Sequence, residues 1–526
     1  MKKYHTLFIG GGINNLVCAS LLAKAGKPVL VLERTEHLGG CIRSSFEQDC
    51  VIDPLSTAYP LFVTSPAYAL LKEDLEKNGV EFVFNQTPIA SVLSDKRIGL
   101  LTTDRQKNID NLNKLHIGDG DRYNLMMDWV GQHAGFLFTL LGQELQTGKT
   151  ARFLAKYVWK NKVKKSLENI GEFLPNIRNN LPVHLKSEEA QAMLAPWVLH
   201  TGLSPESPFS ATMAKIIAFT VELFGLPLVK GGSYNIVTAF KNIVESNGGE
   251  CRTGADVKEV RTNNQGKATG VQLSDGAFVE SKFVVASANP NQLYGGLIKD
   301  QRLVPEDIRQ QAENYKYGMG NTQVHIILNK PPQWFNSDLE NVVYVHLTDG
   351  IDDVSRAVNE ARRQQLPANG TICVAQPSNI DPTRSKDGKS VLWIQLPECP
   401  NFPAGDAAGK LDPMCKGEWT EELKTAYADR IIERLEKYIS NIKTDQVHKQ
   451  IISPKDLSEM NINLKNGDPY GGLCEMEQYL AWRPLRGVKN HETPIKNLYH
   501  NGASTHPGPG LGGAGGVHIA EILKKK

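Results

Sequence analysis

Three consecutive glycines, Gly10, Gly11 and Gly12, with an acid further on at Glu33, are the first residues whose spacing suits a chemical task. Gly10 permits a tight turn from strand to helix. Gly12 carries no side chain, so a pyrophosphate can approach the backbone and the positive end of a following helix. A carboxylate about 20 residues beyond the glycines is placed to accept hydrogen bonds from a ribose. Ile13 and Asn14 continue the turn. Asn15 stands where the third glycine of the pattern belongs, so the helix is expected to lie slightly farther from its strand.

A second glycine cluster lies at the other end: Gly502, then Gly508, Gly510, Gly512, Gly513, Gly515 and Gly516, with Ala514 among them. Converging backbone N–H groups ahead of a helix suit electron-rich oxygens. The pyrimidine edge of a flavin is such a group, because negative charge develops there on reduction. A flexible tail would not need the apolar strand before the cluster or the amphipathic helix after it.

The elements that must position these residues are legible. Tyr4 to Ile9 reads as a strand, Leu16, Val17, Leu21 and Leu22 as a helix closed by Gly26, and Pro28 to Leu32 as a second strand ending at Glu33. Met1, Lys2 and Lys3 with the apolar run after them read as the approach to that first strand rather than as a signal peptide. Arg34 and then Gly39-Gly40 follow Glu33 in a pattern that resembles the second glycine motif of two-dinucleotide-binding-domain flavoproteins.

With those residues in view, the segment Asn497 to Ala520 resembles the C-terminal signature of the phytoene desaturase-related flavoproteins. Asp468-Pro469-Tyr470-Gly471-Gly472 leading to Trp482-Arg483-Pro484, and Val229-Lys230-Gly231-Gly232 with Thr253 to Val257 and Val284 to Ala288, match further stretches. Asp53-Pro54-Leu55-Ser56 with Ser65-Pro66 resembles the branch named for pyridine nucleotide-disulfide oxidoreductase domain-containing protein 2. The resemblance implies an α/β, Rossmann-like two-dinucleotide-binding-domain FAD fold with an inserted mixed α+β substrate domain. The FAD-binding domain would be discontinuous, from about 1–95, 225–300 and 465–526, with 96–224 and 301–464 forming the substrate domain. Cofactor contacts are expected from Gly10, Gly12, Ile13, Asn14, Asn15, Glu33, Arg34, Gly39, Gly40, Cys41, Val257, Gly502, Gly512, Gly513 and Ala514.

The implied activity is oxidoreduction of an apolar or conjugated small molecule by hydride transfer to or from FAD, with oxygen, a quinone or another carrier as electron acceptor. A flavin-dependent isomerase without net redox change, and a non-catalytic flavin-bound interaction protein, are the alternatives. Hydride transfer needs the substrate carbon about 3–3.5 Å from its acceptor and no obligatory protein base. The catalytic residue is therefore left unassigned. His506, in the glycine loop, is the first candidate for polarising or deprotonating the substrate; the other reading is that it only shapes the loop. On the first reading His506→Ala keeps FAD and loses turnover. Tyr59 and Arg483 are further candidates, from their nearness to the matched motifs.

Other chemistries are disfavoured. The eight cysteines form no CxxC pair, and Cys41 and Cys50 are too far apart for the CxxxxC pair of a disulfide reductase, so no metal site and no dithiol relay are expected. No second G-x-G-x-x-G flanked by strand and helix is found for a nicotinamide domain. A net charge of +2 gives no reason to expect nucleic acid. The most apolar run, Met213 to Val229, carries Lys215, Glu222 and Pro227 and falls short of a membrane span. A reducing, cytoplasmic setting is expected. Residues 147–167 mix seven basic side chains with Phe153, Leu154, Tyr157, Val158 and Trp159: either a helix with a solvated basic face, or one that lies on anionic lipid at a membrane periphery.

Overall fold

The computed structural model describes residues 3–526; Met1 and Lys2, part of the expected approach to the first strand, fall outside them. Tyr4–Ile9 forms the centre of a seven-stranded sheet. It pairs in parallel with Val29–Leu32 on one side and with Phe278–Ser287 on the other. The run Val29, Leu30, Val31, Leu32 is buried throughout, as a strand covered on both faces must be. Phe278–Ser287 divides its edge: its first half pairs antiparallel with Ala268–Leu273, and its second half takes Leu498–Asn501 in parallel. The carboxyl-terminal strand thereby enters the sheet begun by the amino-terminal one.

Three helices, Ile13–Lys24, Tyr234–Ser246 and Ala514–Lys524, share one apolar core with the face of this sheet. The first and last of them meet almost backbone to backbone. A Cβ on Gly516 would lie 2.1 Å from the carbonyl oxygen of Asn14, so only glycine allows this approach.

A second seven-stranded sheet runs Gln446–Ile452, Gly320–Leu328, Ser390–Cys399, Ile372–Ala375, Tyr344–Leu347, Ile89–Val92, Ile98–Leu101. Its pairs are antiparallel except Tyr344–Leu347 with Ile89–Val92. Alternation sorts its side chains. Val324, Ile326, Leu392, Ile394, Val374 and Val345 meet the helix Glu421–Leu435 in an apolar core. Asn321, Gln323, His325, Trp393, Gln395 and His346 take the other positions. Because Ile89–Val92 belongs to this sheet, the chain leaves the first sheet somewhat before the crossing expected near residue 95.

Between Arg105 and Phe224 the chain is mainly helical, and its Tyr123, Met127, Val130 and Phe173 share a core with Ile89, Tyr344 and Trp393 of the second sheet. The basic stretch falls in the helical segment Gly148–Phe173, which is broken at Lys162 (φ 62°). No helix among the described residues is long and apolar enough to cross a membrane.

A buried ion cluster ties the excursions together. Arg384 sits between Asp53 (2.6 Å) and Asp381 (3.2 Å) and also donates to the carbonyl of Val229. Asp53 further accepts from Ser44 and from the Ser233 hydroxyl and backbone. Such a charge is tolerated in the interior only because every neighbour is aimed at it.

Candidate functional site

A cavity of about 620 Å³ lies between the two sheets, a volume suited to a small ligand or cofactor. Residues from both ends of the polypeptide line it. Gly10, Gly12, Ile13 and Asn14 enter from one side, and Gly502 with Gly508 to Leu511 from the other.

Gly10 adopts φ +87°, turning the chain out of the first strand. Gly12 is the N-cap of Ile13–Lys24 and offers no side-chain hydrogen bond, so the first-turn N–H groups face the cavity without a side-chain cap. Around a Cβ placed at Gly12 the nearest atom is Ser287 Oγ at 4.0 Å; the space is open and is the kind a phosphate fills. Gly39 (φ +106°) donates to the Gly11 carbonyl at 2.8 Å, which straps the second glycine motif to the first. Gly40, Cys41 and Arg34 follow along the same wall.

Glu33 lines the cavity with its carboxylate already oriented. Oε2 accepts from the Gly11 N–H at 2.8 Å, and Oε1 from the backbone and hydroxyl of Thr35 at 2.9 and 3.0 Å. A carboxylate offers about four lone-pair sites, so acceptor capacity remains for sugar hydroxyls. Val257 lines the cavity beside Ala255, Asp256 and Lys258.

Some expected residues lie elsewhere. Asn15 does not line the cavity. Its side chain is buried, donates to the carbonyls of Ile9 and Gly10 at 2.9 Å each, and accepts from Asn501 Nδ2 at 2.9 Å. The amide in place of glycine thus bonds the end of the strand, where the sequence suggested only a wider gap. Gly512, Gly513 and Ala514 sit behind the wall. Gly513 (φ +72°) caps the last helix, and a Cβ there would meet Val17 Cγ2 at 2.9 Å.

None of the three catalytic candidates lines the cavity. His506 is buried; its Nε2 bonds the carbonyl of Gln143 at 2.9 Å, and its backbone N–H donates to Asn490. Burial pushes its pKa down to about 4, so the ring is neutral. These bonds tie the ring to Gln143 and the loop backbone to Asn490. The Tyr59 hydroxyl bonds Ser56, and burial raises its pKa. Arg483, fully buried, donates to the carbonyls of Tyr470 and Gly472 and holds the Asp468–Gly472 turn against the cavity. Asp468 accepts from the backbone of Gly318, Tyr470 and Gly472, which braces the same turn.

The ceiling was not foreseen. Asn321, Gln323 and Gln395, from the second sheet, line the cavity, and Asn321 Nδ2 and Oδ1, Gln323 Oε1 and Gln395 Oε1 have no hydrogen-bond partner among the described residues. Buried amide atoms left so are costly, which marks them as groups that meet a bound molecule. The signal existed in the strand itself, where Asn321, Gln323 and His325 alternate with Thr322, Val324 and Ile326. All eight cysteines are free, and burial raises the pKa of Cys41, which lines the cavity.

A side-chain-free phosphate cradle and an oriented carboxylate for the ribose fit FAD. Known proteins agree. The model of the family described as "Flavin containing amine oxidoreductase" matches residues 16–508. Pyridine nucleotide-disulfide oxidoreductase domain-containing protein 2 of Rattus norvegicus is 23% identical over 563 residues, covering 99% of this chain and 93% of the relative. Phytoene desaturase of Fusarium fujikuroi is 22% identical over 541 residues, covering 99% and 90%. In fold, an oxidoreductase of Methanosarcina mazei superposes with a TM-score of 0.59 at 15% identity, covering 98% of this chain and 100% of that one. The chain belongs to the flavin-containing amine oxidoreductase family and is an FAD-dependent oxidoreductase of its phytoene desaturase-related branch.

Proposed function

We propose that the protein moves a hydride between a carbon of an apolar or conjugated small molecule and FAD, as a dehydrogenase or desaturase. Bound flavin supplies the hydride acceptor or donor. The observation that carries this reading is the cavity itself. It joins the two glycine clusters to the amide-bearing face of the second sheet, and no histidine is among the described residues that line it. A reaction that needs no protein base suits such a wall.

The residues of the chain would act by placement. Leu55, Leu297, Ile462, Leu464 and Leu511 give apolar surface along the wall. Asn321, Gln323 and Gln395 would hold a polar edge of the substrate and so fix which carbon lies over the acceptor. Arg483 and Asp468, which hold the Tyr470 turn, are positioning residues. The family's phytoene desaturase relative supports an apolar substrate by its name.

The test is an anaerobic titration of the purified yellow protein with candidate polyenes, terpenes and other apolar compounds, followed by acceptor consumption. Substrate-dependent bleaching with one acceptor consumed per turnover supports the dehydrogenase. Product formed by the pre-reduced protein with no acceptor consumed means an isomerase, and neither bleaching nor product means a binder.

Contact with a membrane is the second reading, favoured by one feature. Trp159 is 81% exposed, Val163 65% and Leu167 63%, on a segment rich in lysine. A lipid surface would cover these side chains and deliver an apolar substrate. Trp159→Glu combined with Lys164→Glu should abolish binding to anionic liposomes; unchanged binding removes the reading.

A further inference from the structure

Behind the glycine loop, away from the cavity, three side chains from distant parts of the chain converge. Glu144 follows the long helix Asp119–Gly142, His491 precedes the last strand of the first sheet, and His518 lies on Ala514–Lys524. One donor atom from each lies within 4.8 Å of the others, and His491 Nε2 stands 3.8 Å from Glu144 Oε2. The imidazole rings have centroids 5.7 Å apart.

Each histidine of the cluster keeps one buried ring nitrogen without a hydrogen bond among the described residues. His491 Nδ1 donates to the carbonyl of His500 at 2.9 Å, which leaves Nε2 as a bare lone pair; that atom is buried and has no hydrogen-bond partner. His518 Nδ1 is likewise buried without a partner. On Glu144, Oε1 accepts from the Gln146 N–H at 3.2 Å and Oε2 from Asn490 Nδ2 at 2.5 Å. Backbone carbonyls that fix a histidine tautomer, and amides that steady a carboxylate, are the outer partners that metal ligands have.

The geometry points to a binding site for a divalent transition-metal ion, zinc foremost, held by Glu144, His491 and His518. Two imidazoles and a carboxylate are a borderline-soft N/N/O set, which favours zinc over calcium or magnesium. Zinc at about 2.0–2.2 Å from each donor needs donors roughly 3.3 Å apart, so the site closes by small side-chain rotations. A water would complete the tetrahedron. None of the three residues lines the cofactor cavity, so the ion serves as a clasp. It pins the turn after Gly142, in the helical insert, to the helix that backs the glycine loop. The sequence showed no metal motif because the ligands are scattered along the chain and meet only on folding.

The test uses the untagged, flavin-loaded full chain. Metal content is measured by plasma mass spectrometry, then zinc is stripped with a chelator and returned by titration. The expected result is one zinc per chain, with uptake weakened at least about tenfold in Glu144→Gln and in His518→Ala. Glu144→Gln keeps an oxygen for Asn490, so it should fold even if His518→Ala does not. Cobalt loaded into the stripped wild type should show the visible bands of a tetrahedral N/O site, absent in Glu144→Gln. A wild-type chain that neither contains nor takes up a stoichiometric metal overturns the site. So does zinc uptake that is equal in wild type and Glu144→Gln.

Discussion

Asn501 donates from Nδ2 to Asn15 Oδ1 across 2.9 Å, joining residues 486 positions apart at the back of the cofactor cavity. The same Asn15 side chain caps the carbonyls of Ile9 and Gly10, so one buried amide links the first strand, the first helix and the last strand. The fingerprint glycine is absent here because its place has been taken by this bridge.

Restoring the fingerprint should therefore harm the protein. Asn15→Gly strips the carbonyls of Ile9 and Gly10, and Asn501 Nδ2, of their partner. Each group left unsatisfied in the interior costs about 1–3 kcal/mol. Chemical denaturation of the holoprotein should show a loss of at least that size. Unchanged stability would mean that water replaces the amide.

Gly12 separates cofactor binding from folding. Its backbone (φ −71°, ψ 164°) suits any residue, and no protein atom lies closer than 4.0 Å to a built Cβ. Gly12→Val should fold normally yet fill the phosphate cradle. Flavin affinity should fall by at least about tenfold, or 1.4 kcal/mol. Reconstitution of the stripped variant, followed by its visible absorbance, reads this directly.

The Arg384–Asp53 pair is fully buried, and removing one partner leaves the other charge uncompensated. Arg384→Met should destabilise the fold by about 3–5 kcal/mol. Arg384→Met combined with Asp53→Asn should recover part of that loss. Thermal melts of the two variants test it, and equal melting temperatures for both would sink the argument.

Acid should weaken the fold through buried histidines in the second sheet and beside it. Desolvation lowers His200 and His325 from 6.5 to about 4, and His346, which bonds His200, well below the usual imidazole range. Their unfolded forms take up protons near pH 6.5 while the folded rings resist to about pH 4. The unfolded state therefore binds more protons in this window. Stability is full above pH 6.5 and falls as pH drops toward 4, by roughly 1.4 kcal/mol per pH unit for each such ring. Denaturation midpoints measured between these limits check the slope; His325→Gln should flatten it.

Local order determined the cofactor end of this protein. The strand Tyr4–Ile9, the turn at Gly10, the helix after Gly12 and Glu33 at the next strand's end depend on residues near one another in the chain, so their types and spacing could be read directly. The same holds for Leu498–Asn501 and the last helix. Tertiary structure alone decided the rest. His506 reads like a catalytic base in its loop, but a carbonyl on Gln143, contributed by the helical insert, draws the ring away from the cavity. Asn321, Gln323 and Gln395 form a ceiling only once β-pairing sets their register over the cavity, and Glu144, His491 and His518 meet only because two remote segments pack against the final helix. Contacts between remote segments leave no periodicity in the sequence, because each partner satisfies only its own local pattern until the chain closes.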